Sequence, residues 1–341
     1  MDRNARMAFS ETMHSRLEYE ASPEIHQALA GLGRTEDIGF SPSNRRLALA
    51  GFEKDRIVVL GIRIVPAGDT HKVVIEDYLA FSSKSIRSPH GVSFIDEDTL
   101  IVANRQGGVC VFRLVPANTG EKELDLKPLR KIRRSLFRMR FSPGSVDLYQ
   151  TDADGYRVLV GNNFSNVVIS YSLEPGKGFR VGYEGVLLRR GLEVPDGISI
   201  SSDRKWIAVS NHLDGTVRLY ENIPGLNRRS DGIGILRGMV APHGLRFTAD
   251  GRHLLVADGF VPYVHVFESA DGDWGITRDP ISSARVLDED TFQRGKYSPR
   301  EGGPKGIDID GDSRLLATTC EQQVLAFHDL EELLRNSGTT S

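Results

Sequence analysis

The chain has 341 residues, of which 39% are hydrophobic and 26% charged, so it can bury an ordinary globular core. Its 43 basic and 46 acidic residues give a formal net charge of −3, which argues against wholesale binding to nucleic acid or membranes. No secretory signal follows Met1, and no run approaches the roughly 20 apolar residues of a membrane helix. We therefore expect a cytoplasmic protein without a membrane partner.

A four-residue pattern, Pro-x-Gly followed by an aliphatic residue, divides the chain into repeated units. Each copy opens a short apolar strand, which is followed by a polar turn, a second strand and a third strand. A degenerate copy covers Thr35–Ile38, and full copies begin at Pro89, Pro195, Pro242 and Pro304. The last apolar residues of the six first strands align at Phe40, Phe94, Phe141, Ile200, Phe247 and Ile309.

Units of three or four short antiparallel strands are typical of propeller blades, so the sequence predicts an all-β, six-bladed β-propeller. We expect an N-terminal segment at 1–34, the propeller at 35–328 and a C-terminal tail at 329–341. The sixth unit has only three clear strands. The segment around Leu17–Glu20 is predicted to supply its fourth strand and close the ring.

The third unit allows two registers. If its first strand ends at Phe141, within a Phe-Ser-Pro sequence like that at Phe40, residues 145–153 form an insertion. The alternative register begins this strand near Val146. The choice determines which residue of the unit takes the position equivalent to x in Pro-x-Gly.

These motifs resemble the NHL-repeat and SMP-30 (gluconolactonase-like) group of six-bladed propellers over about residues 35–328. The resemblance rests on Pro-x-Gly and on second strands that end in Val-Ala-Asp or Val-Ser-Asn. In these propellers the Pro-x-Gly position begins the innermost strand and faces the central channel. The resemblance therefore implies that the channel is lined by Glu36, His90, Phe137, Asp196, His243 and Lys305.

Two imidazoles and two carboxylates on one axis suit a divalent metal such as Ca, Mg, Mn or Zn. We predict that Glu36, His90, Asp196 and His243 are its ligands. Glu36 and Asp196 resemble the Glu and Asp that hold a divalent cation in SMP-30-like lactonases. As an alternative to ligation, His243 or His90 is a candidate general base, and Lys305 is a candidate to steady an oxyanion or a substrate carboxylate.

The second strands end on the same face, so their last residues are predicted to line the channel mouth and contact substrate. These residues are Asn104, Asn163 (or Asn162), Asn211 and Asp258. His212 neighbours Asn211 at this mouth. The segment 291–303 is predicted to be a loop near the mouth that acts as a lid.

We predict a metal-dependent hydrolase of a small lactone or ester. Two alternatives stay open: a non-catalytic propeller that binds a protein or a small ligand on its top face, and a biosynthetic lyase or cyclase that uses His90 and His243. A basic stretch at 127–140 would suit nucleic acid, but we interpret it as an outer blade strand whose charges prevent edge pairing.

Overall fold

The computed structural model describes residues 14–114, 121–132, 141–176, 179–296 and 301–335. Six sheets form a six-bladed β-propeller, which confirms the predicted fold class. The inner strands of successive blades pack side by side, and the inner strand of blade six contacts that of blade one. Apolar side chains fill the spaces between neighbouring blades, as Val109 of blade two and Val160 of blade three do within one buried cluster.

The first three blades have four main strands each, ordered from the axis outward. Blade one consists of Thr35–Phe40, Arg46–Gly51, Arg56–Ala67 and Thr70–Ser82. Its outer strand also pairs in parallel with Tyr19–Glu20 and Glu123–Asp125. Blade two consists of Pro89–Asp96, Thr99–Asn104, Gly108–Arg113 and Arg130–Ile132. Blade three consists of Pro143–Gln150, Tyr156–Asn162, Val167–Glu174 and Arg180–Leu188.

The other three blades differ at their outer edges. Blade four consists of Pro195–Ile200, Trp206–Asn211, Thr216–Glu221 and Gly234–Leu236, with Thr277–Arg278 added in parallel. Blade five consists of Pro242–Phe247, His253–Asp258, Tyr263–Glu268 and Ser282–Arg285. In the described part of the chain, blade six consists of Pro304–Ile309, Leu315–Cys320 and Ala326–Asp329.

Short helices lie between or beside the blades. They are Pro23–Ala30, Glu289–Gly295, Leu330–Arg335 and the 3₁₀ turn Asn163–Ser165. Side chains cap the first two, because Ser22 accepts from the backbone N–H of Ile25 and Asp288 from that of Thr291. Within the described ranges, no helix is long and apolar enough to cross a membrane.

The inner strand of blade three settles its register. This strand begins at Pro143, so the alignment on Phe141 and the insertion at 145–153 are wrong. Phe-Ser-Pro follows the inner strand in blade one but precedes it in blade three, which is why the local similarity misleads. Pro143 pairs with Asn162 as Pro89 pairs with Asn104, so Gly144 takes the channel position. Phe137, predicted for that position, lies outside the described residues.

The N-terminal segment links blade six to blade one. Leu17 forms a single antiparallel bridge with Phe327, the third-strand residue whose carbonyl accepts its N–H at 2.8 Å. The chain then continues into Tyr19–Glu20, which pairs with blade one. The segment therefore reaches blade six, but through one bridge instead of the full fourth strand that we predicted.

A β-bulge begins the inner strand of every blade. The first residue pairs with the end of the second strand, and the register then shifts, as between Pro89 and Gly91 or between Pro242 and Leu245. The same shift occurs in the other four blades. A bulge re-aims the side chain it displaces. Here that side chain is the x of Pro-x-Gly, and it points to the axis.

Below these side chains, carboxylates join the inner strands of neighbouring blades. Asp37 accepts from the N–H of Val92 at 2.9 Å, Asp147 from that of Ile200 at 2.8 Å, and Asp308 from that of Phe40 at 2.6 Å. Arg246 donates from Nε to Asp308 Oδ1 at 2.7 Å. Burial raises the pKa of all three carboxyl groups, that of Asp37 to about 6, although Arg246 opposes the shift.

The buried imidazole of His328, on the third strand of blade six, makes the stability of the protein depend on pH. Burial, reinforced by His14 and Arg16, lowers the pKa of His328 to about 3, so the native state keeps this imidazole neutral. Below pH 6.5 the unfolded chain takes up a proton there and the native chain does not. The contribution of His328 to the free energy of unfolding is therefore full above pH 6.5 and is lost as the pH falls toward 3.

Between pH 7 and pH 5 we expect the free energy of unfolding to fall by about 1–2 kcal/mol less in His328→Phe than in the wild type. Urea unfolding at both pH values measures this difference. His26→Phe is the control, because His26 is exposed. Equal pH dependence of the wild type and His328→Phe would contradict a buried neutral His328.

Candidate functional site

The bulges bring five polar side chains to the upper channel. Glu36, His90, Asp196, His243 and Lys305 each belong to a different blade and are all buried. The sixth channel residue is Gly144. The structure thus brings together the five polar side chains that the sequence placed at this level.

Four of these side chains point ligand atoms at one another. Oε2 of Glu36 lies 3.5 Å from Nε2 of His90 and 3.3 Å from Nε2 of His243. Nε2 of His243 lies 3.4 Å from Oδ2 of Asp196, and the two imidazole rings are stacked with centroids 5.3 Å apart. Tetrahedral ligands about 2.0–2.1 Å from a zinc ion stand roughly 3.3–3.4 Å from one another. Glu36, His90 and His243 satisfy the spacing of a metal-binding group, and Asp196 adjoins them.

Two atoms of this group are prepared to accept a cation. Oε2 of Glu36 is buried and accepts no hydrogen bond of good geometry among the described residues, although His243 Nε2 lies 3.3 Å away, so a cation bound between them would satisfy it. His90 donates from Nδ1 to the carbonyl of Gly144 at 2.7 Å, so the lone pair of its Nε2 faces the cluster. Burial, followed by the charge of Arg105, lowers the pKa of His90 to about 3, which keeps this ring neutral. The donor set therefore fits a divalent metal.

Neighbouring cations keep the two carboxylates ionised. Burial alone would raise the pKa of Glu36, but Lys305 Nζ at 3.2 Å from Oε1, the neighbouring histidines and Arg34 hold it well below the usual range. Arg34 donates from Nε to the same Oε1. The pKa of Asp196 is likewise depressed against the effect of burial, first by Arg105 and then by the histidines. Both carboxylates are therefore ready ligands at neutral pH.

Asn163 compensates for the missing side chain in blade three. A Cβ at Gly144 would overlap the amide of Asn163, which occupies that space and donates from Nδ2 to Asp196 Oδ1. Asn163 is the first residue beyond the second strand of its blade. Of the two alternatives left open by the sequence, Asn163 and not Asn162 is the residue that reaches Asp196.

The other residues predicted at the mouth form hydrogen bonds with nearby backbone instead. Asn104 accepts from Arg87 N–H and donates to Gly108 O, while Asn211 accepts from Glu193 N–H and donates to Gly191 O. Asp258 accepts from the backbone of Val240, Ala241 and Phe260. These bonds turn all three side chains toward loop backbone, so the structure does not bring them to the metal-ligand group.

A second tier of side chains, which the sequence did not identify as a group, covers the cluster. Most of its members come directly after a second strand. Arg105 and His212 each lie one position beyond a residue predicted at the mouth, whereas Asn163 was itself predicted. The tier consists of Phe52, Arg105, Asn163, His212 and Glu321, with Arg34 and Glu301 beside them. The signal that could have found it is the alternation of side chains along the strand, because the residue after each buried Asn or Asp turns back to the axis.

Arg105 closes one side of this tier. One terminal nitrogen donates to Nε2 of His90 and to Oδ1 of Asp196, both at 2.7 Å. These are atoms of the predicted ligands. Arg105 retains about a fifth of its side-chain exposure, so its guanidinium lies between these atoms and solvent.

His212 and Glu301 close the other side. His212 Nε2 lies 3.2 Å from Glu301 Oε1, and its Nδ1 lies 3.6 Å from Asp196 Oδ2. Burial would lower the pKa of His212, but Glu301 and Asp196 raise it. Glu301 also bonds Lys305 at 2.8 Å. Part of the predicted lid segment thus covers the site, although 289–295 is helical and 297–300 lie outside the described residues.

The channel beneath the cluster is narrow. A cavity of about 10 Å³, enough for about one water molecule, lies between the ligands and the carboxylates that join the inner strands. It is lined by Glu36, His90, Asp196, His243 and Arg246. Among the described residues, polar side chains rather than an apolar plug therefore fill the axis.

The basic stretch agrees with its structural interpretation where the chain is described. Arg130–Ile132 forms the outer strand of blade two and pairs with Val109–Val111. Residues 133–140 lie outside the described ranges.

Comparison with known proteins supports the fold alone. No family model and no curated protein matches the chain. It is similar to a functionally unknown protein from Desulfotomaculum acetoxidans, with a TM-score of 0.54 and 13% identity over 84% of this chain and 79% of the other. It is also similar to a protein provisionally described as a gluconolactonase, with a TM-score of 0.54 and 15% identity over 94% and 93% of the two chains.

Replacing Arg105 should strengthen metal binding. We expect Arg105→Gln to bind Zn²⁺ about tenfold more tightly, because the substitution removes a cation that bonds two ligand residues. Competition with a fluorescent zinc chelator measures the affinity. Arg113→Gln is the control, since Arg113 is exposed in the same blade. Unchanged or weaker binding by Arg105→Gln would show that the guanidinium does not compete with a metal.

Replacing Gly144 should disturb both tiers. The methyl group of Gly144→Ala would displace the Asn163 amide from Asp196, and overpacking of this kind costs about 1–3 kcal/mol. Gly61→Ala is the control, because the nearest atom to its Cβ would be 3.6 Å away. Urea unfolding compares them. A Gly144→Ala variant as stable as Gly61→Ala would mean that the Asn163 side chain moves without cost.

Proposed function

We propose that this protein is a metal-dependent hydrolase of a small lactone or ester. The observation that carries the proposal is the convergence of Glu36, His90 and His243 at the spacing of a metal-binding group, with Asp196 3.4 Å from His243 and 3.8 Å from His90. The similar structure described as a gluconolactonase agrees with this substrate class. A small molecule, rather than a macromolecule, suits ligands that lie behind Arg105, His212 and Glu301.

In this proposal His90 and His243 are ligands, so neither acts as the general base. A divalent cation held by them, Glu36 and Asp196 would polarise a substrate carbonyl and lower the pKa of a bound water molecule. His212 has a buried Nδ1 that faces Asp196 without a hydrogen-bond partner in the described ranges, and Glu301 orients its other nitrogen. We assign His212 Nδ1 to accept the proton of the attacking water.

The cations have separate roles. Lys305 is fully buried between Glu36 and Glu301, so it positions Glu36 and does not meet substrate. This replaces the predicted role of Lys305 at an oxyanion. Arg105 and Arg34 are closer to solvent, and Arg105 would move aside when the ligands are occupied.

The closed second tier also favours the non-catalytic alternative, because Arg105, His212 and Glu301 together shield the ligands from solvent. In that case the top face binds its ligand without turnover. A lyase or cyclase would use the same ligands with a different substrate, and product analysis distinguishes it from a hydrolase.

The test measures metal content and hydrolysis on the same protein. We expect near-stoichiometric divalent metal by mass spectrometry and hydrolysis of a lactone or aryl ester. Both should fall at least tenfold in Glu36→Gln and in His243→Gln. Two variants are needed, because loss of the Glu36 charge leaves Arg34 and Lys305 without this partner and can destabilise the fold by about 3–5 kcal/mol.

Glu53→Gln is the matched control, because Glu53 is a carboxylate on the same blade with a largely exposed side chain. It should retain full metal content and activity. Wild-type protein that binds neither Zn²⁺, Mn²⁺ nor Ca²⁺ in excess would exclude the metalloenzyme. A metal-loaded protein that converts no lactone or ester would leave the binding propeller or the lyase.

A further inference from the structure

Three large apolar side chains stand exposed around His212 at the mouth of the channel. Leu213 is 68% exposed, Val240 is 52% exposed and Phe260 is 38% exposed. All three lie on loops of blades four and five, and Leu213 directly follows His212 of the covering tier. Large apolar groups exposed together usually mark a binding surface.

Hydrogen bonds and close approach hold these residues in one group. The backbone N–H groups of Val240 and Phe260 both donate to the carboxylate of Asp258, at 2.7 and 3.1 Å. The loop that carries Leu213 abuts the loop of Val240, because a Cβ at Gly215 would lie 2.7 Å from the carbonyl of Met239. We call Leu213, Val240 and Phe260 the apolar rim.

The apolar rim is continuous with the proposed site. The ring of Phe260 packs edge-on to that of His212 with centroids 6.0 Å apart, and His212 packs in the same way on His243. Asp258, predicted from the sequence to contact substrate, instead fixes two members of this rim. A molecule whose reactive group reaches the metal ligands past His212 would therefore lay its remaining atoms on the rim.

The opposite edge of the mouth has a different chemistry. Arg34 lies over the ring of Phe52 at 4.9 Å from its centroid, and Arg105 of the next blade follows it around the axis. Blades one and two thus offer cations where blades four and five offer apolar groups. A substrate with polar groups on every carbon, such as a sugar lactone, would leave the rim uncovered.

We propose that the substrate is amphipathic, namely a lactone or ester that carries an alkyl or aryl group of several carbons. The polar ring or ester lies over the metal ligands, and the apolar group covers Leu213, Val240 and Phe260. This inference rests on the proposed function for the reactive half of the molecule. Its apolar half rests on the rim alone.

The test uses γ-lactams, which have the shape of γ-lactones but resist hydrolysis. Isothermal titration compares unsubstituted, butyl-substituted and octyl-substituted γ-lactams, with gluconolactam as the sugar analogue, on protein loaded with Zn²⁺. A fully buried methylene group contributes about fourfold in affinity. On a rim open to solvent on one side, we expect about twofold per methylene and gluconolactam as the weakest ligand.

The triple variant Leu213→Ser/Val240→Ser/Phe260→Ser should lose at least half of this dependence on chain length. Ile276→Ser is the matched control, since Ile276 is 53% exposed on blade four's outer edge, and it should retain the full dependence. Affinity that does not rise with chain length, or tighter binding of gluconolactam than of the octyl lactam, would overturn the proposal.

These outcomes separate the two proposals, because the lactams report binding without turnover. Chain-length dependence without hydrolysis of any lactone refutes the hydrolase and retains the apolar ligand. Hydrolysis without chain-length dependence retains the hydrolase and refutes the apolar ligand. Sedimentation at several protein concentrations covers a different occupant: dimerisation that the triple variant abolishes would assign the rim to a second copy and overturn the inference.

Discussion

The close approach of neighbouring inner strands is the constraint on which the rest of this molecule depends. In Pro-x-Gly the glycine of one blade faces the backbone of the next, and a Cβ at Gly244 would lie 2.5 Å from the carbonyl of Lys305. A Cβ at Gly306 would lie equally close to Asp37 Cα. Without side chains at these points the strands pack tightly enough for the bulged residues to meet on the axis. The repeat that identifies the fold is therefore also the reason that a site exists.

Burying this many charges is costly unless each has a partner. Four carboxylates, those of Glu36, Asp196, Glu301 and Glu321, face three cations, Arg34, Arg105 and Lys305. Each of these cations bonds at least one of the carboxylates, yet one oxygen of Glu36 has no hydrogen-bond partner in the part of the chain that the structure describes. The arrangement contributes little to net stability compared with apolar packing. It fixes positions, and with His212 neutral it leaves a net negative charge, the sign that favours a divalent cation.

The sequence predicted the six blades and the inner tier because both follow from one repeated motif with a clear physical reason. It failed where the signal is not local. The Phe-Ser-Pro sequence at Phe141 stands at the start of the inner strand of blade three, whereas the same sequence stands at the end of that strand in blade one. Gly144 has no side chain for a pattern to detect. Asn104 and Asn211 were one residue short of the axis, because a buried amide at a strand end satisfies loop backbone as readily as it lines a channel. The carboxylate of Asp258 does the same in blade five. The pairing of Lys305 with Glu36 spans 269 positions and follows from ring closure, which no local pattern shows.

The narrow passage below the ligands makes the site a blind-ended one. Its cavity of about 10 Å³ and the salt bridge between Arg246 and Asp308 leave no room for an organic molecule to pass along the axis. A molecule that reaches the ligands must then enter and leave the channel past Arg105 and His212. If the protein is the proposed hydrolase, a hydroxy acid released there would carry a new carboxylate past the guanidinium of Arg105. In that case product and substrate would compete for the same opening.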